Sequence, residues 1–441
     1  MRILLISNNL STDPYAVFPL GLGVIANVLR QKNHEIKLID LLSASAAGAS
    51  LRRSIADFNP QLVGISIRNI DNVNSLNPCF FLDDAARTVQ IIRDATQARI
   101  FLGGAGFSLM PEAVLAYTGA DYGIVGAGES AVAALAGAVE NGNEIDRLLY
   151  AVNFPAAFSG AVYDDDIAEY YLRETGILPV QTKRGCPHHC VYCSYPLLEG
   201  KRCRQRPCSE IVDEMIFLRD KFHPAMFYFT DSIFNDPDGS YLELLENMTA
   251  RGVSVPWSAF FTPADFDSAS IALMRRSGIK TAELGADAMT DATLAGLGKN
   301  YNFAVVEKSC AAFLKQDIHV SCSYIAGGPN ETKTTLIEGI NNISRLNQIP
   351  AFVFMGIRIL PDTPIEGIAR REGIISDDHN LLYPTFYFSP AVPKEQMYNM
   401  LEAGFRNVKH AVFPPHAMNN ELRLYRKLQA AQAPERTQYE Q

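Results

Sequence analysis

The sequence predicts an α/β protein of two consecutive parallel-sheet units, a Rossmann-like doubly wound unit and then a partial (β/α)6 barrel, followed by a short helical tail. Three observations carry this. Short apolar runs alternate with amphipathic stretches of helical length, which is the pattern of a parallel sheet covered on both faces. The series stops near residue 136 and restarts near Pro179, so there are two units rather than one. A chain of 441 residues is long enough for more than one buried core.

In the first unit, Arg2–Ser7, Glu35–Asp40, Leu62–Ile67, Arg99–Leu102 and Tyr122–Val125 read as strands. Leu20–Gln31, Leu51–Phe58, Asp84–Ala95 and Pro111–Tyr117 read as the helices between them. Ligands of such sheets sit beyond the carboxyl ends of the strands, here the loops Asn8–Gly21, Gly64–Asn72, Gly103–Ser108 and Gly126–Ser130. All four are rich in Gly, Asn or Ser, so a ligand can approach the backbone closely. Residues 1–145 are assigned to this unit and 146–175, with weak periodicity and the acidic run Asp164–Asp166, to a connector.

The second unit spans 176–385. Its strands are Pro179–Thr182, Ala225–Thr230, Ser254–Phe261, Thr281–Leu284, His319–Ile325 and Val353–Ile359. The intervening helices are Ser209–Lys221, Tyr241–Arg251, Ser268–Ser277, Phe303–Gln316 and Thr332–Leu346. Right-handed crossovers make six such strands a partial barrel whose site lies at the carboxyl ends. Residues 386–441 read as a helical tail ending in a frayed polar segment, and Tyr383, Phe386, Tyr387 and Phe388 are expected near the barrel mouth.

A net charge of -9 gives no global basic field for nucleic acid. No apolar run reaches a membrane span, and Ile3–Ser7 is too short for an export signal, so the expected location is cytoplasmic. Five of the eight cysteines fall between positions 186 and 208, which in a reducing compartment argues for metal or cluster ligation over disulfides.

Cys186–Pro187–His188–His189–Cys190–Val191–Tyr192–Cys193 follows the first barrel strand. Three thiolates on so short a loop can hold three irons of a four-iron, four-sulfur cube and leave the fourth iron open. A closed zinc site needs four protein ligands and would have to recruit His188 or His189. The strand before the loop and Tyr192 beside the last thiol fit the cluster better.

This loop resembles that of the radical S-adenosylmethionine (SAM) enzymes. The resemblance implies Cys186, Cys190 and Cys193 as cluster ligands, with SAM on the open iron and its cleavage to a 5′-deoxyadenosyl radical. Phe229–Asn235, containing Asp231 and Ser232, resembles the family's segment after strand two. Glu283–Asp287 resembles the strand-four segment near SAM, followed by Leu297–Gly298–Lys299–Asn300. Gly327–Gly328–Pro329–Asn330–Glu331–Thr332 resembles the turn beside the adenine. Pro361–Asp362–Thr363–Pro364 has Asp where the family usually has Gly, which puts that turn's geometry in question. Taken alone, Asp231 is equally a helix cap, Glu283 half of an ion pair and the glycines a turn.

Pro19–Gly23, Asp40, Pro60–Ser66, Gly103–Gly104–Ala105–Gly106 and Gly126–Ala127–Gly128–Glu129–Ser130 together resemble the cobalamin-binding domain fused to many radical SAM enzymes. That resemblance implies Arg68, Asn69, Gly103, Gly104, Gly126, Gly128 and Glu129 at the corrin. The segment that places histidine on cobalt is missing, since His34 before the second strand is the domain's only histidine. Arg68 is then expected to block or tune the lower axial position; pairing with Asp71 or a cobalamin amide is the alternative.

The implied cofactors are a [4Fe-4S] cluster, SAM and cobalamin, and the implied partners a small-molecule substrate and a reductant such as flavodoxin or ferredoxin. The implied activity is methylation of an unactivated carbon, using methylcobalamin and a 5′-deoxyadenosyl radical. Cyclisation or rearrangement without methyl transfer is the second reading, and a non-catalytic corrinoid or iron–sulfur protein the third. Cys79, Cys203, Cys208, Cys310 and Cys322 are too dispersed for a second cluster and read as spare or substrate-adjacent thiols, while Arg204 and Arg206, just downstream of the cysteine loop, either face an anionic substrate or, as is commoner for such residues, are solvated.

Overall fold

The computed structural model describes residues 1–13, 15–44, 47–151 and 158–416. The first sheet contains β1 (Arg2–Ser7), β2 (Glu35–Asp40), β3 (Leu62–Ser66), β4 (Arg99–Gly103), β5 (Tyr122–Val125) and β6 (Leu148–Tyr150), in the order β2-β1-β3-β4-β5-β6. All pairs are parallel. Leu4, Ile6, Val63, Ile65, Ile100 and Leu102 pack toward helices 47–58, 82–95 and 111–118. Their neighbours Ile3, Leu5, Leu62, Phe101 and Ile124 pack toward helices 20–31 and 129–141. Burial on both faces is why these strands read as continuous apolar runs.

The strand order reverses between β1 and β3, the switch point where an open α/β sheet has its crevice. The register sets Ser7 opposite Asp40 and Ser66, and Ser66 opposite Gly103, so the strands end level and present their loops together.

Eleven more strands follow among the described residues. They are β7 (Ile177–Val180), β8 (Lys183–Arg184), β9 (Arg204–Gln205), β10 (Met226–Phe229), β11 (Trp257–Phe261), β12 (Ile279–Asp287), β13 (His319–Ala326), β14 (Ala351–Met355), β15 (Ile357–Arg358), β16 (Phe386–Tyr387) and β17 (Ala411–Val412). β7, β10, β11, β12, β13, β14 and β17 form one parallel sheet in that order, while β8–β9 and β15–β16 are short antiparallel ribbons. Phe227, Phe229, Trp257, Leu284 and Val353 are buried on the helix side, where the Trp257 indole donates to Ser277 O at 3.0 Å. Alternate residues point inward: the Tyr228 ring meets Phe260 edge-on, and Phe260 and Phe354 stay 42% and 40% exposed. The lumen is therefore open and partly aromatic.

Three expectations are revised. β6 lies in the stretch read as a connector yet extends the first sheet. The acidic run later in the same stretch is a helix start: Asp164 accepts from Ile167 N at 3.3 Å, and Asp165 and Asp166 sit in the first turn of helix 165–175, where negative charge is favoured. The tail is more than helical, because after helix 394–405 β17 adds a seventh strand to the barrel sheet. The polar end read as frayed, residues 417–441, lies outside the described residues.

Candidate active site

The cysteine loop is held from below by buried charge. Lys183, fully buried on β8, donates to Phe234 O at 2.7 Å, pairs with the Asp236 carboxylate, and lies 5.3 Å from the centre of the Phe234 ring. Asp231 accepts from Thr182 N at 2.7 Å and Lys183 N at 3.0 Å through one oxygen, and from the Thr182 hydroxyl through the other. Burial pushes its carboxyl up to about 6. Asp231, expected beside a cofactor, thus spends its acceptors on the strand that leads into the loop. Ser232 is similarly engaged: its hydroxyl donates to Glu199 Oε2 at 2.9 Å, and the same oxygen accepts from Gly185 N at 3.0 Å. Gly185 has φ of +94°, and a Cβ there would lie 2.1 Å from Arg202 O, so only glycine lets the loop fold under residues 200–203. Cys186 N closes the contact on Gly200 O at 3.1 Å.

Farther along the loop, Val191 N donates to Leu297 O at 3.0 Å and Val191 O accepts from Ile365 N at 2.9 Å. Lys299 Nζ lies 3.0 Å from Cys190 Sγ and 3.1 Å from the Tyr192 hydroxyl, and pairs with Asp287. Burial raises the Cys186 thiol and pushes that of Cys193 up to about 12. Among the described residues no three His, Cys, Asp or Glu side chains converge on a point suited to one metal ion. Three sheltered thiols on a tethered loop, with an ammonium beside one of them, fit a multi-iron cluster carrying negative charge.

Glu283 faces the lumen and accepts from the Tyr228 hydroxyl at 3.1 Å; desolvation pushes its carboxyl up to about 7. Gly327, Gly328 and Pro329 form the turn after β13. Buried Glu331 pins it by accepting from Gly327 N at 3.2 Å, and Ser389 N reaches Gly327 O at 2.8 Å. Asp362 has φ of +60°, the left-handed geometry a glycine would take, so the Asp-for-Gly departure preserves the turn.

The first unit's loops open on a cavity of about 410 Å3 lined by Arg68, Asn69, Gly103, Gly104, Gly126, Gly128 and Glu129. Its opposite wall comes from the barrel: Gln181, Arg184, Tyr195, Glu199 and Thr230. Gly104 has φ of +99°, and a Cβ there would sit 2.6 Å from Ile67 O. Asn9 Nδ2 and Thr230 Oγ1, from opposite walls, are buried without a hydrogen-bond partner, so the cavity presents polar atoms suited to a large amide-bearing ligand. Arg68 is exposed there. Of the two alternative partners, Asp71 is taken by buried Arg358 at 2.7 Å, which leaves a cobalamin amide.

Sequence reading missed the roles of Arg184, Glu199 and Lys299. Lys299 was visible only as part of a turn, and nothing in the spacing marks the other two as cavity residues. Arg206 is buried against the Glu214 carboxylate at 2.6 Å and does not line the cavity, while Arg204 lines it and donates to Glu199 O at 2.6 Å. The Tyr383 ring lies tilted against Phe80 of the first unit, 5.2 Å between centres, and Tyr387 is buried with its hydroxyl on Glu372, so these two rings make core and domain contacts.

Residues 9–136 match the model of the B12 binding domain, and residues 180–343 match that of the radical SAM superfamily. The chain is a B12-binding radical SAM enzyme. Its cofactors are a [4Fe-4S] cluster, SAM and cobalamin. A tryptophan 2-C-methyltransferase of Streptomyces laurentii is 25% identical, over 81% of this chain and 73% of the relative. An uncharacterized methyltransferase of Pyrococcus horikoshii is 23% identical, over 71% of this chain and 70% of its own. In fold the enzyme resembles the radical SAM methyltransferase TsrM of Kitasatospora setae, solved with cobalamin and a [4Fe-4S] cluster bound. The TM-score is 0.83 at 22% identity, covering 98% of this chain and 99% of that one. The cobalamin-dependent radical SAM enzyme OxsB superposes with a TM-score of 0.72 at 13% identity, covering 98% of this chain and 72% of that one. No helix among the described residues is long and apolar enough to cross a membrane.

Proposed function

We propose that the enzyme methylates an unactivated carbon of a small molecule. One observation carries the reading: loops of the B12-binding domain and the flank of the cysteine loop line a single cavity. When bound, cobalamin supplies a methyl carrier, and the reduced cluster with SAM supplies a 5′-deoxyadenosyl radical.

Cys186, Cys190 and Cys193 would hold the cluster, and Lys299 keeps a positive charge beside Cys190. Glu283 and the Gly327–Pro329 turn would receive SAM, because a desolvated carboxyl gains most from a cationic ligand. Tyr192 fixes Lys299 through its hydroxyl. Arg68 and Asn69 would line the face of the cavity that receives the corrin, where the exposed Arg68 guanidinium would block or tune access to cobalt, and Gly103, Gly104, Gly126 and Gly128 would leave room for the ring. Glu129 stands at the cavity's edge beside Arg184. Phe260 and Phe354 give the lumen exposed aromatic faces, which favours an apolar or aromatic substrate. A one-electron donor of the flavodoxin or ferredoxin kind completes the system, and the free thiols suit a reducing cytoplasm.

Anaerobically reconstituted holoenzyme, given SAM, reductant and candidate small molecules, should yield a product heavier by one methyl in place of hydrogen. Release of 5′-deoxyadenosine without that mass gain would replace methyl transfer by cyclisation or rearrangement. Absence of any SAM turnover would overturn the enzymatic reading.

A further inference from the structure

The cysteine loop is fixed to the barrel by groups of the barrel itself: Lys183, Asp231, Glu199 and the Leu297–Lys299 turn. The cobalamin loops are fixed by the first sheet and their own backbone bonds, such as Ile67 N to Gly103 O at 2.8 Å. Asp71 ties the Gly64–Asn72 loop to Arg358 of the barrel at 2.7 Å, but neither set of anchors joins the Gly126–Ser130 loop to the cysteine loop.

Arg184 joins them. It ends β8, two residues before Cys186, yet its side chain leaves the barrel. Nη1 lies 2.6 Å from Glu129 Oε1, Nε donates to Gln181 Oε1 at 2.9 Å, and the guanidinium stacks 4.1 Å from the centre of the Phe158 ring. The two side chains are only 12% and 15% exposed, so solvent screens the pair weakly. Glu129 is the first residue of helix 129–141 and directly follows the Gly126–Gly128 loop. Both residues line the cavity. The guanidinium is held on three sides, and one oxygen of Glu129 is committed to it.

We propose that the Arg184–Glu129 pair is a positioning latch that sets the separation between the cobalamin loop and the cluster loop. This rests on the methyl-transfer reading for its consequence in turnover, though not for its geometry. Because each loop has its own anchors, breaking the latch leaves both sites formed and loosens only their relation. Catalysis is steep in that relation: a misplacement of about 1 Å costs roughly a hundredfold in rate.

The test uses anaerobically reconstituted wild type, Arg184→Gln, Glu129→Gln, the double variant and Arg184→Lys. Iron and cobalt contents and thermal midpoints report whether each site forms. Electron paramagnetic resonance reports how strongly the reduced cluster broadens the cob(II)alamin signal, and product mass reports turnover. The latch predicts wild-type iron and cobalt in every variant, and altered broadening with about a hundredfold lower turnover in both Gln variants. It also predicts a double variant no worse than either single one and substantial recovery in Arg184→Lys. Loss of cobalt from Glu129→Gln would make Glu129 a cobalamin ligand and overturn the latch. Unchanged broadening, or losses that multiply in the double variant, would overturn it as well. If broadening follows the pair while no variant or wild type methylates anything, the latch stands and the methyl-transfer reading falls.

Discussion

The two walls of the cavity are made by opposite means. On the B12-binding side the shape comes from missing side chains: Gly103, Gly104, Gly126 and Gly128 expose backbone, and Gly104 takes a φ of +99° against Ile67 O. On the barrel side it comes from side chains that hold one another, with Asp231 on Thr182 and Lys183, Glu199 on Gly185 and Ser232, and Lys299 on Asp287 and Tyr192. A flat ring needs a smooth, pre-formed floor, whereas a cluster needs three thiols held on a short loop. The difference predicts that the two sites fail separately and for different reasons.

The largest expected effect is on the cluster. Cys190→Ala removes one of the three proposed cluster ligands and should abolish turnover together with the cluster's visible absorption, while cobalamin still binds. Next is the floor of the other wall. Gly104→Ala places a Cβ in a left-handed backbone against Ile67 O, costing about 1–3 kcal/mol, so a lower melting midpoint and weaker cobalamin titration are expected. Asp231→Asn puts an amide among donors in a buried site and should cost about 1–3 kcal/mol, seen as a lower midpoint and reduced iron incorporation at unchanged cobalt.

The smallest effect is a pH dependence. Burial lifts Glu283 from its ordinary 4.5 to about 7. Below 4.5 the group is protonated whether the chain is folded or not, and its burial carries no charge penalty. Between 4.5 and about 7 the unfolded chain ionises first, so the folded state loses stability as pH rises, and above about 7 the whole penalty is present. Glu283→Gln should therefore gain on wild type by about 3 kcal/mol at pH 8, and that gain should vanish at pH 4. Paired urea melts at the two values measure it; an equal difference at both would place Glu283 in water.

The two walls also differ in how legible they were. Glycine-rich loops after level parallel strands announce an open crevice, so every first-unit residue expected at the corrin lines the cavity. The three cysteines were legible because their spacing is local. Asp231 and Ser232 were found but their bonds within the chain were not, because a sequence shows that a carboxylate follows a strand and not which backbone N–H groups it faces. Arg184 and Glu129 sit 55 positions apart, and only the packing of two sheets brings them together. β17 has two residues, too few for periodicity to register, and becomes a strand only by pairing with β14.

The central claim is that one chain builds two independent cofactor sites facing a common cavity. Iron and cobalt counted in anaerobically reconstituted Cys190→Ala and Gly104→Ala test it most directly. The expected result is cobalt without the cluster's iron in the first, and iron with depleted cobalt in the second. Loss of both metals from both variants, or of neither, would contradict it.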